Sequence, residues 1–178
     1  MFILASGSPR RKELLHKVVD EFTIIVPDID ESHHPLDPKD LPKELSKEKA
    51  YAVSRFYPND EILACDTVVI LDKEVLGKPK SVQNAIEMLK KQSGKRQIVL
   101  SGYTYIGKGK EISRSVATEV YFNELSEEQI IDYVTRFKPF DKAGSYGIQD
   151  DFPLIKKIVG SYDNVMGLPT EDIREHIL

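Results

Sequence analysis

The sequence predicts a mixed α/β protein, and three observations carry this prediction. Phe2–Ala5 is an apolar run too short for a helix, and a helix signal follows it at once from Pro9. Residues 97–105 and 111–122 are rich in β-branched and aromatic residues and flank Gly107-Lys108-Gly109, which predicts two long strands joined as a hairpin. Capped helical patterns lie between the strand-like runs along the whole chain, so we expect a mixed sheet with flanking helices.

The first of these segments predicts an anion site. Ser6-Gly7-Ser8 breaks the strand, Ser8 is a candidate N-cap, and Pro9 suits the first helical position. Arg10 and Arg11 then fall in the first turn, where their charge opposes the helix dipole unless an anion is bound. The alternative is an ordinary capped helix with solvated arginines, because the glycine spacing and the lysine of a Walker loop are absent.

The remaining elements follow from apolar runs and capping signals. Ile62–Leu71 predicts a buried strand interrupted by Asp66-Thr67. The other predicted elements, in chain order, are a strand over Phe22–Val26, a helix over about Pro42–Phe56 with Phe56 in its apolar stripe, a helix from Ser81 to about Ser93, a helix opened by the capping box Ser126–Gln129, a strand over Ile155–Val159 and a short terminal helix capped by Thr170.

Length and composition limit the classes of protein that fit. The 178 residues suffice for one domain with a core, or for two small lobes that share a cleft, and no internal boundary stands out. The net charge of -4 argues against a general nucleic-acid binder. A lone cysteine excludes an internal disulfide. With no export signal and no bilayer-length apolar run, we expect a cytoplasmic protein.

The most informative acidic residue is Asp66. A carboxylate between two apolar halves of a strand is costly to bury unless it is paired, metal-bound or catalytic, although it could also cap a turn. Glu31, with Asp28 and Asp30 beside it, offers oxygen ligands that could join Asp66 in holding Mg²⁺ or Mn²⁺. The alternative for these three residues is a solvated acidic loop.

Two lysines are candidate phosphate ligands. Lys78 lies between Gly77 and Pro79, a rigid setting, whereas Lys49 lies in a mixed-charge helix and by pattern alone is a surface residue. The adjacent His33 and His34 are predicted to be solvated rather than metal-binding. Cations, carboxylates and a helix N-terminus together favour phosphoryl or nucleotidyl transfer, and no nucleophile elbow competes with this interpretation.

In these residues the chain resembles the Maf (septum-formation) family of nucleoside triphosphate pyrophosphatases nearly end to end. Each motif alone is weak, but all of them in order are specific. They are Leu4–Arg11 with Glu13-Leu14-Leu15, Asp30-Glu31, Glu48-Lys49-Ala50, Asp66–Val69, Gly77-Lys78-Pro79, Lys142–Gln149 and Gly160–Pro169.

The resemblance implies an elongated α/β fold, similar to the inosine-triphosphatase fold, with two lobes around a cleft. It implies hydrolysis of a nucleoside triphosphate to the monophosphate and pyrophosphate with a divalent metal, Mg²⁺ or Mn²⁺, as a nucleotide-pool or house-cleaning enzyme. Asp66 falls on the family's proton acceptor. Glu31 and Asp66 are the metal ligands expected from their own chemistry. Residues at family positions that bind phosphate or metal or support catalysis are Ser6, Ser8, Arg11, Glu31, Lys49 and Lys78.

Substrate choice in the family tracks three positions, here Arg10, Thr67 and Gln149. Arg10 and the sequence Tyr146-Gly147-Ile148-Gln149 resemble the branch that acts on dTTP and UTP rather than on 7-methyl-GTP. The glutamine amide carries a donor and an acceptor, which suits the edge of a pyrimidine, and such a site rejects bases that leave polar groups unpaired.

One departure from the family follows Gln149, where Asp150-Asp151-Phe152-Pro153 replaces a glycine-rich turn. The two carboxylates could repel phosphate, point away from the site or help to bind metal. The alternative function is a nucleotide-sensing or cell-division protein with little turnover, and tight binding without pyrophosphate release would favour it. We expect a nucleoside triphosphate as the ligand, no nucleic-acid or membrane partner, and a homodimer by analogy with the family.

Overall fold

A computed structural model describes residues 1–31 and 35–178; the prediction for His33 and His34 lies outside the described residues. The strands in the described part are β1 (Phe2–Leu4), β2 (Thr23–Ile24), β3 (Glu61–Leu71), β4 (Glu74–Leu76), β5 (Arg96–Gly107), β6 (Lys110–Phe122) and β7 (Ile155–Val159). The helices are α1 (Pro9–Leu15), α2 (Leu41–Ser54), α3 (Val82–Gln92), α4 (Glu127–Phe137), α5 (Tyr162–Met166) and α6 (Thr170–His176). None of these helices is long and apolar enough to cross a bilayer.

The strands form one mixed sheet in the order β2-β1-β3-β5-β6-β7, with β4 paired to the second half of β3. β1 runs parallel to β2 and β3, whereas β3, β5, β6 and β7 are successively antiparallel. The predicted α/β class with a mixed sheet and flanking helices is therefore confirmed. Because β3 joins the parallel and antiparallel parts, a residue in its middle is close to both.

Strand β3 also connects two of the three hydrophobic clusters found among the described residues. Leu63 and Cys65 in its first half pack with the residues of β1, α1 and α6. Val69 and Leu71 in its second half pack with α3 and α4 instead. Asp66 and Thr67 lie between these two clusters, where their side chains line an open cleft. This arrangement provides a polar site without placing a carboxylate inside either core.

A glycine in β5 allows α2 to lie directly on the sheet. Gly102 pairs with Asp66 across the β3–β5 ladder. A Cβ atom at Gly102 would lie 2.2 Å from the backbone nitrogen of Lys43, so no other residue fits beneath this helix. The buried hydroxyls of Ser46 and Thr104 are 2.7 Å apart and fix the contact. As a result, the next turn of α2 lies beside Asp66.

Several predictions of local structure need correction. The predicted strand over residues 22–26 is only Thr23–Ile24, and Phe56, predicted to face inward, is 79 % exposed beyond the end of α2. Thr170 does not cap α6, because Pro169 occupies the N-cap position without a side-chain cap bond and the buried Thr170 hydroxyl donates to Asp163. Helix α5 was not predicted, because its five residues carry no apolar period and tertiary contacts hold it.

Candidate active site

One cleft of about 590 Å³ is lined by ten of the residues that the sequence singled out. Asp28 and Asp30, the acidic neighbours of Glu31, are exposed and do not line it. It opens between the loop that joins β1 to α1, the centre of β3, α2 and the segment around residues 141–149. The ten residues that line it are Ser6, Ser8, Arg10, Arg11, Glu31, Lys49, Asp66, Thr67, Lys78 and Gln149. Their positions span most of the sequence, so the fold, and not local spacing, brings them together.

Lys49 lies between two carboxylates at the centre of the cleft. Its Nζ atom is 2.8 Å from Glu31 Oε1 and 2.9 Å from Asp66 Oδ1. The lysine side chain is 11 % exposed and that of Asp66 15 %, whereas Glu31 is 52 % exposed. The expectation from the helix pattern that Lys49 is a surface residue is wrong, because α2 turns this position toward the cleft.

The cations around Glu31 hold it in the charged form. Partial burial raises the pKa of Glu31, but the hydrogen bond and charge of Lys49 lower it, and the charges of Lys78 and Arg11 lower it further. The net pKa is below the usual value for a glutamate. Lys78 makes no ion pair with any residue in the described part of the chain, so its ammonium group is available to a ligand anion.

The loop between β1 and α1 is ordered by its own serines. The Ser8 side chain accepts from the backbone N–H of Arg11 at 3.3 Å, which makes Ser8 the N-cap as predicted. The Ser6 hydroxyl oxygen in turn accepts from the backbone N–H of Ser8 at 3.1 Å. No acidic side chain lies in the first turn of α1, so its positive end faces the cleft without compensation from its own helix.

Arg11 connects this loop to two other elements. Its Nε donates to the carbonyl oxygen of Gly167 at 2.8 Å, and one terminal nitrogen donates to Thr67 Oγ1 at 3.2 Å. The Thr67 hydroxyl also hydrogen-bonds the hydroxyl of Ser101 on β5, with the two oxygen atoms 2.8 Å apart. The guanidinium is therefore rigidly positioned and retains further N–H donors for a ligand.

Two residues at the cleft mouth were not assigned a role from the sequence. Asp141 Oδ2 is 3.2 Å from an Arg10 terminal nitrogen, and Lys142 Nζ is 3.4 Å from Asp141 Oδ1. Burial raises the pKa of Asp141, but Lys142, its own backbone N–H and Arg10 together lower it below the usual value. The sequence signal for this pair is the Lys142–Gln149 motif, which begins at Lys142 and directly follows Asp141.

The charge of the cleft is opposite to that of the protein. Among the described residues that line it, the cations are Arg10, Arg11, Lys49, Lys78 and Lys142, and the carboxylates are Glu31, Asp66 and Asp141. The lining thus has an excess of positive charge, whereas the chain carries a net charge of -4. A positive cleft in an acidic protein selects a polyanionic ligand that is small enough to enter it.

Comparison with known proteins agrees with the arrangement of motifs around this cleft. A family model described as Maf-like protein matches residues 1–178. The chain belongs to the Maf family. A protein of Pyrococcus abyssi named dTTP/UTP pyrophosphatase is 46% identical over 178 residues, 99% of this chain and 95% of its own length. The predicted family is therefore confirmed.

Other Maf relatives carry the same name. Thermosipho africanus has a dTTP/UTP pyrophosphatase 46% identical over 96% of this chain and 88% of its own length. One from Cytophaga hutchinsonii is 43% identical over 98% of this chain and 82% of its own length. A solved structure of the Staphylococcus aureus Ham1 protein aligns with a TM-score of 0.48 and 17% identity, over 83% of this chain and 87% of that one.

Proposed function

We propose that this Maf protein is a nucleoside triphosphate pyrophosphatase that hydrolyses dTTP and UTP to the monophosphate and pyrophosphate. One observation carries the proposal: cationic side chains surround Asp66 and Glu31 in a cleft, although the protein as a whole is acidic. The names of relatives at 43–46% identity over nearly the whole chain support the same substrate class.

The reaction requires a water molecule to attack the α-phosphorus atom. Asp66 accepts a proton from this water, the new P–O bond forms, and the α–β anhydride bond breaks with pyrophosphate as the leaving group. Lys49 orients the Asp66 carboxylate through their hydrogen bond at 2.9 Å. Lys78 and Arg11 offset the negative charge of the triphosphate, and positioning of this kind supplies most of the catalysis in phosphoryl transfer.

The residues fit a divalent cation, which we propose as the cofactor. The carboxylates of Glu31 and Asp66 each lie within 2.9 Å of the same Lys49 nitrogen, so they are close enough to share one cation. No group of three or more metal-ligating side chains occurs in the described residues. Mg²⁺ commonly uses one or two carboxylates plus substrate phosphates and water. When bound, such an ion neutralises charge on the phosphate oxygens.

In this proposal the base is recognised by Arg10, Thr67 and Gln149, which line the same cleft. Gln149 lines the cleft, and its side chain makes no hydrogen bond within the part of the chain that the structure describes. Its amide is therefore available to pair with the edge of a uracil or thymine ring. Thr67 connects the base site to the phosphate site, because its hydroxyl accepts from Arg11 and it follows Asp66 in the chain.

A nucleotide panel tests the proposal. Canonical and modified triphosphates are assayed for pyrophosphate release with Mg²⁺ and with Mn²⁺, and dTTP and UTP are expected to give the highest kcat/KM. Asp66→Asn should lower the rate by about 10²–10⁴, the usual contribution of a general base. Asp72→Asn is the matched control, since Asp72 directly follows the same strand and does not line the cleft.

Two outcomes would contradict the proposal. Normal turnover by Asp66→Asn would exclude this carboxylate as the proton acceptor. Tight binding of nucleotide without pyrophosphate release by the wild-type protein would favour the sensing alternative.

We also propose three properties of the whole protein. Residues 1–178 act as a single domain, because one sheet carries both sides of the cleft. The protein works in the cytoplasm, where its substrates are found and where the free thiol of Cys65 is stable. It forms a homodimer, which sedimentation analysis would test.

A further inference from the structure

A buried tyrosine binds the segment that carries Gln149. Tyr133, on the inner face of α4, is fully buried. Its hydroxyl donates to Asp150 Oδ2 at 2.6 Å and accepts from the backbone N–H of Gly147 at 2.9 Å. One hydroxyl therefore holds the residues on both sides of the dipeptide Ile148-Gln149.

The position of this hydroxyl is fixed by aromatic packing. The ring of Tyr133 stacks on Phe137 with centroids 5.1 Å apart and packs at a tilt on Phe152 at 5.3 Å. Burial raises the pKa of the Tyr133 hydroxyl, and the hydrogen bond to Asp150 raises it further, so it remains a donor at physiological pH. Tyr133 is thus a rigid support on a regular helix, and the segment is attached to it.

The segment itself is a tight turn. The backbone N–H of Asp150 donates to the carbonyl oxygen of Gly147 at 3.1 Å. A Cβ atom at Gly147 would lie 2.8 Å from Asp150 Oδ2 and 2.9 Å from Lys142 Cε, so the carboxylate is packed against the glycine backbone. Gln149 is exposed and lines the cleft between these two fixed points. Its position depends on the backbone, because its own side chain makes no hydrogen bond to the described residues.

This arrangement answers the question that Asp150 and Asp151 raised in the sequence. The Asp150 side chain is directed toward Tyr133 and is not among the residues that line the cleft. Asp151 is exposed. The Asp150 carboxylate therefore points away from the phosphate site.

We propose that Tyr133 and Asp150 are positioning residues that set the base selectivity of the cleft by holding Gln149 at a fixed place. The inference rests on the proposed function, since it concerns which triphosphate that site accepts. Hydrogen bonds weaken steeply with poor angles, so an amide discriminates between base edges only when its backbone is held still. Neither residue touches the substrate, and both act through Gln149.

The test compares kcat and KM for UTP, CTP and GTP in four variants. Asp150→Ala removes the acceptor of the tyrosine hydroxyl, and Tyr133→Phe removes the hydroxyl but keeps the ring. Asp150→Asn retains an oxygen that can accept from Tyr133 and serves as the conservative rescue. Asp151→Ala is the matched control, because it removes the neighbouring carboxylate, which has no part in this contact.

We expect Asp150→Ala and Tyr133→Phe to lower the preference for UTP over CTP and GTP by about tenfold, a fraction of what paired polar groups can discriminate. The change should come from a higher KM for UTP, with kcat within about twofold of wild type. Asp150→Asn should keep most of the preference, and Asp151→Ala all of it.

Different results overturn different claims. An unchanged preference in both Asp150→Ala and Tyr133→Phe would overturn this inference and leave the proposed function intact. Should Asp150→Ala fold poorly, Tyr133→Phe alone decides, because it keeps the packing of the ring. Failure of the wild-type protein to release pyrophosphate from UTP would overturn the proposed function, and this inference with it.

Discussion

Replacement of Lys49 by methionine removes the charge at the centre of the cleft and keeps the length of the side chain. In the wild-type protein the ammonium group contacts Glu31 and Asp66 at once, so the two carboxylates share one cation. In the variant they face each other without it. We expect the pKa of Glu31 to rise, because Lys49 is the main cause of its lowering, and the group then protonates at a higher pH.

The size of the effect follows from the geometry. The two carboxylate oxygens lie 2.8 and 2.9 Å from Lys49 Nζ, so they are at most about 5.7 Å apart. At an effective dielectric constant of about 20, two unit charges at this separation repel by about 3 kcal/mol. The Glu31 side chain is 52 % exposed, and screening by water reduces the value to about 1–2 kcal/mol. That energy corresponds to a shift of about one pH unit.

The assay is the initial rate of pyrophosphate release from UTP between about pH 3 and pH 8, a range that includes the acid limb expected from the lowered pKa of Glu31. For Lys49→Met we expect a lower maximum rate and an acid limb displaced upward by about one pH unit. Lys47→Met is the control, because Lys47 lies on the same helix and pairs with Glu44 on the surface. An acid limb at the wild-type pH in Lys49→Met would refute the coupling between this lysine and the two carboxylates.

Three further predictions concern packing, stability and ligand affinity. Gly102→Ala should lower the free energy of unfolding by about 3 kcal/mol in urea titrations, because its Cβ meets the backbone of Lys43; a loss under 1 kcal/mol would contradict the packing. Although burial raises the pKa of Asp172, Arg114 lowers it to a net value below normal. The stability difference between wild type and Asp172→Asn should therefore be full above about pH 4 and vanish as the pH falls further, and a pH-independent difference would refute this. Arg11→Lys should raise KM for UTP about tenfold in steady-state assays, because a lysine cannot reproduce the guanidinium contacts; an unchanged KM would contradict this role.

Elements with local signals could be predicted from the sequence. The capping box at Ser126 and the hairpin between β5 and β6 agree with the structure because their determinants lie within a few residues of each other. Helix α5 has local caps in Ser161 and Gly167, but its five residues are too few for an apolar period to show. The Asn164 side chain holds it by donating to the backbone of Val116 and to the hydroxyl of Thr118, both distant in sequence.

The candidate site also depends on contacts between residues that are distant in the sequence. The pattern of α2 places Lys49 among charged residues, which predicts a solvated side chain. Its burial depends on Gly102, more than fifty residues later, which allows the helix to approach the sheet. In the sequence, only the order of the family motifs indicates that Lys49 and Asp66 belong to one site. The contact of Tyr133 with Asp150 could not be predicted from the sequence, because the two residues are 17 positions apart and only the fold brings α4 against this turn.

The position of bond cleavage tests the central claim most directly. Hydrolysis of UTP in ¹⁸O-labelled water, followed by mass spectrometry of both products, identifies the phosphorus atom that the water attacks. If Asp66 activates water at the α-phosphate, the label appears in UMP and is absent from pyrophosphate. Label in pyrophosphate, or orthophosphate as the primary product, would contradict the account.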